Sequence, residues 1–333
     1  MNVRGLEKFG LRDSSKFGAR LVKDDLDAVE ALLFTEPFNS GSGLRNHFLE
    51  EITIMLVYQT LFQTEESPKT KLVVSSIRKL VTDIRQDIEH KSPLTALFHS
   101  LFGTVEIISS ETFDKSLQVP ILPSDAIFSG ASLAQVIGCQ PWVFHKIQSI
   151  SNLRTGKLGA VAAGTLNVVE LAKKASAIEN DMHLQLLVIE KDDDSPSDLH
   201  VLHITEVFAH AAEVYLHTTT SGAYPDVSNL RHAVSQVVDA LQRLKCSRLL
   251  HSLAWPVCVA ASMAAEEHDA FFDAIAQGAR RGNEYSKLSR ALCVAQECQR
   301  LRKINIPATA AEDRRAYDWF DGMRSLGKEW NLL

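Results

Sequence analysis

Apolar side chains recur at intervals of three and four residues along most of the chain, the spacing of one face of an α-helix. Alternating apolar and polar positions, which are typical of strands, are scarce. The pattern therefore predicts an all-α protein, a large multi-helix domain of about a dozen helices. The first four core-facing amphipathic helices are expected to begin at Asp24, at Leu44, after Pro68 and at Pro93.

Proline and glycine divide the rest of the chain into further predicted elements. We expect an extended surface loop over 109–128, a short helix ending at Gly138 and a helix from Pro141 to Leu153. A turn at Gly156 and Gly159 should follow, then helical stretches up to Ile189 and a charged linker from Lys191 to Asp198. The chain should continue with a helix from His200, and a final helix should open with the capping box Thr309-Ala310-Ala311-Glu312.

The strongest helical periodicity follows the breaker Gly222-Ala223-Tyr224-Pro225. Its apolar residues share one face, and we predict that this face is buried in the core. The residues are Leu230, Val234, Val237, Val238, Leu241 and Leu244.

The order of several landmarks is more specific than any one of them: Ile137 to Trp142, Val207 to Leu216, the Trp255-Pro256 step, Glu266 to Ile275, and Asp318 to Met323. This succession resembles the helical regulatory region of fungal zinc-cluster transcription factors. The resemblance is best from about Ser129 onward. It implies an N-terminal helical part over 1–128 and a C-terminal helical part over 129–333, in one continuous globular unit.

Members of that family that read DNA carry six closely spaced cysteines holding two zinc ions. This chain has five cysteines and no Cys-x-x-Cys pair, and Cys293 and Cys298 have no third or fourth ligand nearby in sequence. We therefore expect no bound zinc, no cofactor and no direct sequence-specific DNA binding, in a standalone version of the regulatory domain. The cysteines are expected to be buried free thiols.

Composition limits the other classes of function. The net charge of −6 does not favour a nucleic-acid binder, and 45% hydrophobic residues is ordinary for a globular protein. Met1 to Arg20 contains no apolar signal segment, and the longest apolar run, Leu253 to Ala265, falls short of the about 20 residues that span a bilayer. We predict a nuclear or cytoplasmic protein that does not bind membranes.

A polar series follows the predicted helix from His200 in steps of three and four residues: His203, Glu206, His210, Glu213 and His217. Facing inward, these side chains could hold a metal or carry acid–base chemistry. Facing outward, they would be a solvated surface opposite Val207, Ala211 and Val214. We favour the outward orientation, because charged stripes are usually solvated.

Other candidate sites carry less information. Asp192, Asp193 and Asp194 could bind magnesium and a diphosphate, but Ser195 and Pro196 favour a solvated loop. No Gly-x-Gly-x-x-Gly, phosphate loop, serine nucleophile elbow or His-Glu-x-x-His motif occurs. Several aromatic residues could line a cavity for a hydrophobic ligand, although aromatics more often fill the core. The candidate ligand-binding residues are Trp142, Phe144, Phe208 and Trp255.

Two functions remain open. The first is a regulatory domain that binds a protein partner or a hydrophobic small molecule, such as a terpenoid or a polyketide, in fungal secondary metabolism, with a homodimer as a candidate assembly. The second is a cofactor-independent enzyme on the same scaffold, a cyclase or pericyclase of the Diels-Alder or noncanonical terpene cyclase type. For that enzyme, His210 and Tyr215 are the predicted catalytic residues.

Overall fold

A computed structural model describes residues 138–189, 196–244, 250, 253–282, 287–304 and 317–327. These ranges contain eight α-helices, a 3-10 helix and no strand, which confirms the predicted all-α class for this part of the chain. The elements are α1 Pro141–Ala162, α2 Val168–Ile189, α3 Pro196–Ser221, α4 Ser228–Arg243, α5 Ala254–Ser262, the 3-10 helix Glu266–His268, α6 Asp269–Gly282, α7 Lys287–Ile304 and α8 Trp319–Ser325.

Helix α3 lies at the centre of these elements. It contacts α1, α2, α4 and α5, and every residue from Val207 to Leu216 is buried. A helix that is covered on all sides has no solvated face, so its polar side chains must find partners inside the protein.

Helix α5 is buried along its whole length, from Ala254 to Ser262. It packs against α3, α4, α7 and α8. Pro256 lies in its first turn, where a backbone N–H has no partner within the helix and the missing donor of proline costs little. The Trp255-Pro256 step therefore marks the start of a core helix.

The predicted amphipathic face of α4 is confirmed. Leu230, Val234, Val237, Val238 and Leu241 are all buried, and α4 packs mainly on α3. Leu244, which was predicted to share this face, follows the helix as its C-cap and is half-buried. The opposite face, which includes Arg231 and His232, is exposed to solvent.

Helix α1 is joined to α3 at its first turn. The backbone N–H of Gln140 donates to the hydroxyl of Thr205 over 2.9 Å. Gly138 precedes it with a φ of 77°, and a Cβ there would lie 2.9 Å from Ile204 Cδ1. Only glycine fits this turn without strain and without displacing Ile204.

Two predicted boundaries were wrong. Gly156 and Gly159 lie inside α1, which continues to Ala162, and the turn follows at 163–167 with Gly164 at a φ of 66°. Isolated glycines are tolerated in a helix whose other face is packed. Helix α3 begins at Pro196, so Asp198 belongs to the helix and not to a linker. Proline suits the first turn of a helix, where its missing N–H costs little.

Several predicted elements lie outside the described residues. They include the four N-terminal helices, the loop over 109–128, the capping box Thr309 to Glu312 and the acidic run Asp192 to Asp194. The division into 1–128 and 129–333 stays a prediction for the same reason. Within the ranges that the structure describes, no helix is long and apolar enough to cross a membrane.

Candidate functional site

The centre of the polar stripe of α3 faces the interior, so the prediction of a solvated stripe was wrong at His210 and Glu213. The other members of the stripe, His203, Glu206 and His217, are half-buried. Glu213 is 3% exposed and His210 is 9% exposed. The reason is tertiary packing, because α2 and α4 both contact α3 and cover sides of it that the local sequence leaves polar. A buried charge is tolerated only when it is paired, and each of these side chains has a partner of opposite type.

His210 lies between two carboxylates on its own helix. Its Nδ1 is 3.0 Å from Glu213 Oε2, and its Nε2 is 3.9 Å from Glu206 Oε1. Burial by itself lowers the pKa of His210, but hydrogen bonds and charge attraction from Glu206 and Glu213 outweigh it and raise the pKa to about 9. His210 is therefore a cation at neutral pH, which suits it to neutralising Glu213 and not to cycling a proton.

Glu206 links this cluster to α4. The guanidinium of Arg243 donates to Glu206 Oε1. Burial would raise the pKa of Glu206, but His210 and Arg243 together hold it below its usual value. The carboxylate is thus kept ionised by a cation from each of two helices.

Two further pairs connect the stripe to α2. His183 Nε2 is 2.9 Å from Glu213 Oε1, and His217 Nε2 is 3.5 Å from Glu179 Oε1. We call the set Glu206, His210, Glu213, His217, Glu179, His183 and Arg243 the His–Glu cluster. It spans α2, α3 and α4, and the α2 partners were missed by sequence reasoning because they are 30 or more residues away along the chain.

Tyr215 does not join this cluster. Its ring meets Trp319 at 5.1 Å and Phe320 at 6.2 Å between centroids, and its hydroxyl bonds with Ser151 of α1. Burial raises its pKa to about 12. Five residues along an α-helix correspond to a rotation of about 140°, so His210 and Tyr215 face different neighbours.

A second buried ion pair lies near Tyr215 and was not predicted. Arg154 Nη2 is 3.1 Å from Asp318 Oδ2, and its guanidinium lies 4.1 Å from the centre of the Phe320 ring. Asp318 also caps α8 in a capping box with Asp321. Burial raises the pKa of Asp318, and Arg154 opposes that shift. The Asp-x-x-Asp spacing of Asp318 and Asp321 indicates a helix start in the sequence. The contact between Asp318 and Arg154 on α1 could not be predicted from local sequence.

Three of the four candidate ligand-binding aromatics pack on one another. Ring centroids are 5.5 Å apart for Phe144 and Phe208, and 5.9 Å apart for the stacked pair Phe208 and Trp255. Each of the three is at most 4% exposed. Trp142 is different, because it is half-buried and its indole Nε1 is enclosed without a hydrogen-bond partner among the residues described.

Metal ligands do not converge in the part of the chain that the structure covers, since no group of three or more His, Cys, Asp or Glu side chains could hold an ion there. Cys139, Cys258 and Cys298 are buried free thiols, as predicted, whereas the prediction was wrong for Cys293, which is exposed. Cys246 lies outside the described residues. Burial raises the pKa of Cys298 to about 11, which keeps this thiol protonated.

Comparison with known proteins gives one family and several relatives. The model of the fungal specific transcription factor domain matches residues 34–333. The chain is 29% identical over 205 residues to the ustiloxin B cluster transcription factor ustR of Aspergillus flavus, covering 58% of this chain and 34% of that protein. It is 31% identical over 140 residues to a trichothecene biosynthesis transcription regulator of Fusarium sporotrichioides, covering 42% and 32% respectively.

A third relative, transcription factor dibT of Pestalotiopsis microspora, is 28% identical over 223 residues, which cover 60% of this chain and 35% of that protein. The matches thus span about a third of the length of each relative. No solved structure matches the chain.

Proposed function

Because this chain belongs to the fungal specific transcription factor domain family, we propose that it is the regulatory domain of a transcription regulator for a biosynthetic gene cluster. The observation that carries the proposal is the family match over 34–333, together with relatives named as regulators of ustiloxin and trichothecene biosynthesis. In this proposal the protein works in the nucleus or cytoplasm.

We further propose that the described helices do not read DNA sequence themselves. The net charge of −6 gives the chain no general attraction to phosphate. The His–Glu cluster pairs its histidines and Arg243 with carboxylates, which compensates their positive charge. The regulatory domain would instead control transcription through what it binds.

The regulatory role can be tested by fusing the full chain to a heterologous DNA-binding module in a fungal reporter strain. The expected result is a change in reporter transcription relative to the DNA-binding module alone. A matched fusion carrying Val238→Asp, which places a charge in the buried face of α4, should lose the effect through unfolding. A stable wild-type fusion that leaves transcription unchanged would contradict the proposal.

For the bound molecule, we propose a hydrophobic small molecule with an oxygen acceptor, of terpenoid or polyketide type, that contacts Trp142. An enclosed indole N–H without a partner is an unfavourable feature that a ligand oxygen would remove. The indole ring of Trp142 is itself half-buried, and its exposed part offers apolar area to such a ligand. Phe144, Phe208 and Trp255 stay predicted ligand contacts, and their mutual packing gives them a core role as well.

Farnesol, a terpenoid alcohol, can serve as the probe, with displacement of the apolar dye anilinonaphthalene sulfonate as the signal. The expected result is that Trp142→Phe, which keeps the ring and loses the donor, weakens farnesol binding by about tenfold, the equivalent of one hydrogen bond. Trp319→Phe makes the same chemical change in the core beside Tyr215 and serves as the control. Equal binding by all three proteins would remove Trp142 from the site.

The enzyme hypothesis gains no support from the described residues. His210 and Tyr215 contact different helices, and each is already engaged by neighbouring side chains. The two assignments stay predictions. Product formation from a late pathway intermediate by wild type, but not by His210→Ala or Tyr215→Phe, would establish them. The homodimer also stays a prediction, which sedimentation velocity of the purified chain checks.

A further inference from the structure

Helix α2 carries large apolar side chains on the side that points away from its neighbours. It packs against α1 and α3 through an inner side that includes Leu171, Ala175 and Met182. The apolar side chains that do not contact these helices are exposed, and Val169 is 78% exposed. A set of large exposed apolar residues on one helix is typical of an interaction surface. We call Val169, Leu184 and Leu187, with Val168 and Val188 at the two ends, the outer face of α2.

The outer face of α2 has one apolar cluster at each end of the helix. Val168 and Val169 lie at the N-terminal end, and the other three residues lie at the C-terminal end. About five full turns separate Val169 from Leu187, so the two side chains project in the same direction about 27 Å apart. The part between the clusters is polar and exposed, and it consists of Lys173, Ser176 and Asn180.

A second copy of α2 that lies antiparallel to the first matches this spacing. A two-fold axis at the level of Ile178 places Val169 opposite the partner's Leu187, and the symmetry repeats this contact at the other end of the helix. The same register places Val168 opposite the partner's Val188. A different protein would need two apolar clusters at the same separation, whereas a copy of α2 has them by identity.

The charges of this surface are compatible with contact between two copies. No charged residue occurs from Leu158 to Val169, and Glu170 pairs with Lys174 on its own helix at 2.7 Å. In the antiparallel register, Lys173 would lie about 15 Å from the partner's Lys173, which exceeds the Debye length of about 8 Å at physiological salt. Like charges therefore do not oppose each other across the axis.

Helix α1 enlarges the apolar surface at the N-terminal end of α2. Leu158 is 49% exposed and Val161 is 54% exposed, and both precede the turn at 163–167 that leads into α2. The contact is still modest, because a helix of 22 residues is about 33 Å long and stable interfaces bury about 800 Å² on each partner. We therefore expect a dissociation constant in the micromolar range.

We propose that the outer face of α2 is a dimerisation surface, on which a second copy of this chain docks with the two α2 helices antiparallel around a two-fold axis near Ile178. Docking covers Val169 and Leu187 of both copies. This inference gives the predicted homodimer a surface, and it depends neither on the regulatory role nor on the bound molecule.

Sedimentation velocity of the full chain between about 1 and 100 µM tests the proposal. Wild type should change from monomer to dimer with a dissociation constant of about 10 µM. A like-charge variant, Val169→Glu with Leu187→Glu, sets two carboxylates opposite each other at both ends of the contact. It should raise the dissociation constant at least about tenfold.

An opposite-charge variant, Val169→Glu with Leu187→Lys, tests the antiparallel register. It sets a carboxylate opposite the partner's ammonium group at both ends, so it should dimerise at least about tenfold more tightly than the like-charge variant. The two positions are about 27 Å apart within one chain and do not pair there. Both are exposed, so both variants should fold, which far-ultraviolet circular dichroism checks.

Ile304→Glu is the matched control, since Ile304 is an apolar residue of α7 that is 63% exposed, and it should dimerise as wild type does. Wild type that stays monomeric up to about 100 µM would overturn the proposal, and so would a like-charge variant that dimerises as well as wild type. Equal dissociation constants for the like-charge and opposite-charge variants would rule out the antiparallel pair.

Discussion

The pair formed by His210 and Glu213 shows how much one side chain can contribute at the centre of a helical core. Glu213 is almost completely enclosed, and its two oxygens face His210 and His183. Removing a partner from a buried carboxylate leaves a charge without compensation, which costs more than the pair itself contributes.

We therefore expect His210→Gln to lower the free energy of unfolding by about 3 kcal/mol, as is usual when one member of a buried pair is removed. Chemical denaturation at neutral pH measures the change. His232→Gln on the exposed face of α4 should stay within about 0.5 kcal/mol of wild type. A similarly small loss for His210→Gln would mean that the His–Glu cluster contributes little to stability.

The pKa of His210 also predicts a pH dependence. The folded value of about 9 lies above the ordinary value of 6.5, so the folded state holds the proton more tightly than the unfolded state. Its contribution is complete below about pH 6.5 and falls by about 1.4 kcal/mol per pH unit as pH rises toward 9. Denaturation midpoints between about pH 6.5 and 8.5 should decline in wild type.

The same series on His210→Gln isolates this effect, because the variant lacks the titrating group. Its midpoints should vary much less over the same range. Unfolded cysteine thiols begin to ionise toward the upper end of this window, but both proteins contain the same cysteines, so their contribution cancels in the difference between wild type and variant. A parallel decline in both proteins would assign the pH dependence to other groups.

At the scale of elements, the docking of α8 on α7 depends on a glycine. A Cβ at Gly322 would lie 2.6 Å from Cys298 Sγ and 3.0 Å from the carbonyl oxygen of Val294. The carbonyl is part of the α7 backbone and cannot move aside as a side chain would. The two helices therefore touch at a distance that any larger residue would increase.

Gly322→Ala is expected to destabilise the protein by about 1 to 3 kcal/mol through this overpacking, despite the better helix propensity of alanine. Gly278→Ala in α6 is the matched control, because nothing lies within 4 Å of its Cβ position. There the propensity gain should appear alone, as about 0.5 to 1 kcal/mol of stabilisation. Thermal unfolding of both variants measures whether each substitution lowers or raises the stability of the protein.

For the whole molecule, the cysteine arrangement predicts that purified protein carries no stoichiometric zinc. A structural site normally needs four ligands, and among the described residues no group of three or more His, Cys, Asp or Glu side chains could hold an ion. Elemental analysis after dialysis against a chelator is the measurement. One or two retained zinc ions per chain would show a metal site that the sequence pattern did not reveal.

The sequence determined the local elements where a single face is apolar. The period of Leu230, Val234 and Leu241 predicted a helix at α4 and its buried side, because helix hydrogen bonds are local and one apolar stripe has one stable orientation. Pro141 marked a helix start for an equally local reason, the missing N–H of proline.

Only the tertiary structure decided the orientation of α3 and the composition of the candidate site. A polar stripe indicates solvent when a helix has one free side, but α2 and α4 cover that side of α3 and turn its acids and bases into a paired cluster. Arg154 and Asp318 are 164 residues apart in the chain and meet at 3.1 Å. Such partners are chosen by packing between distant segments, which no local periodicity encodes.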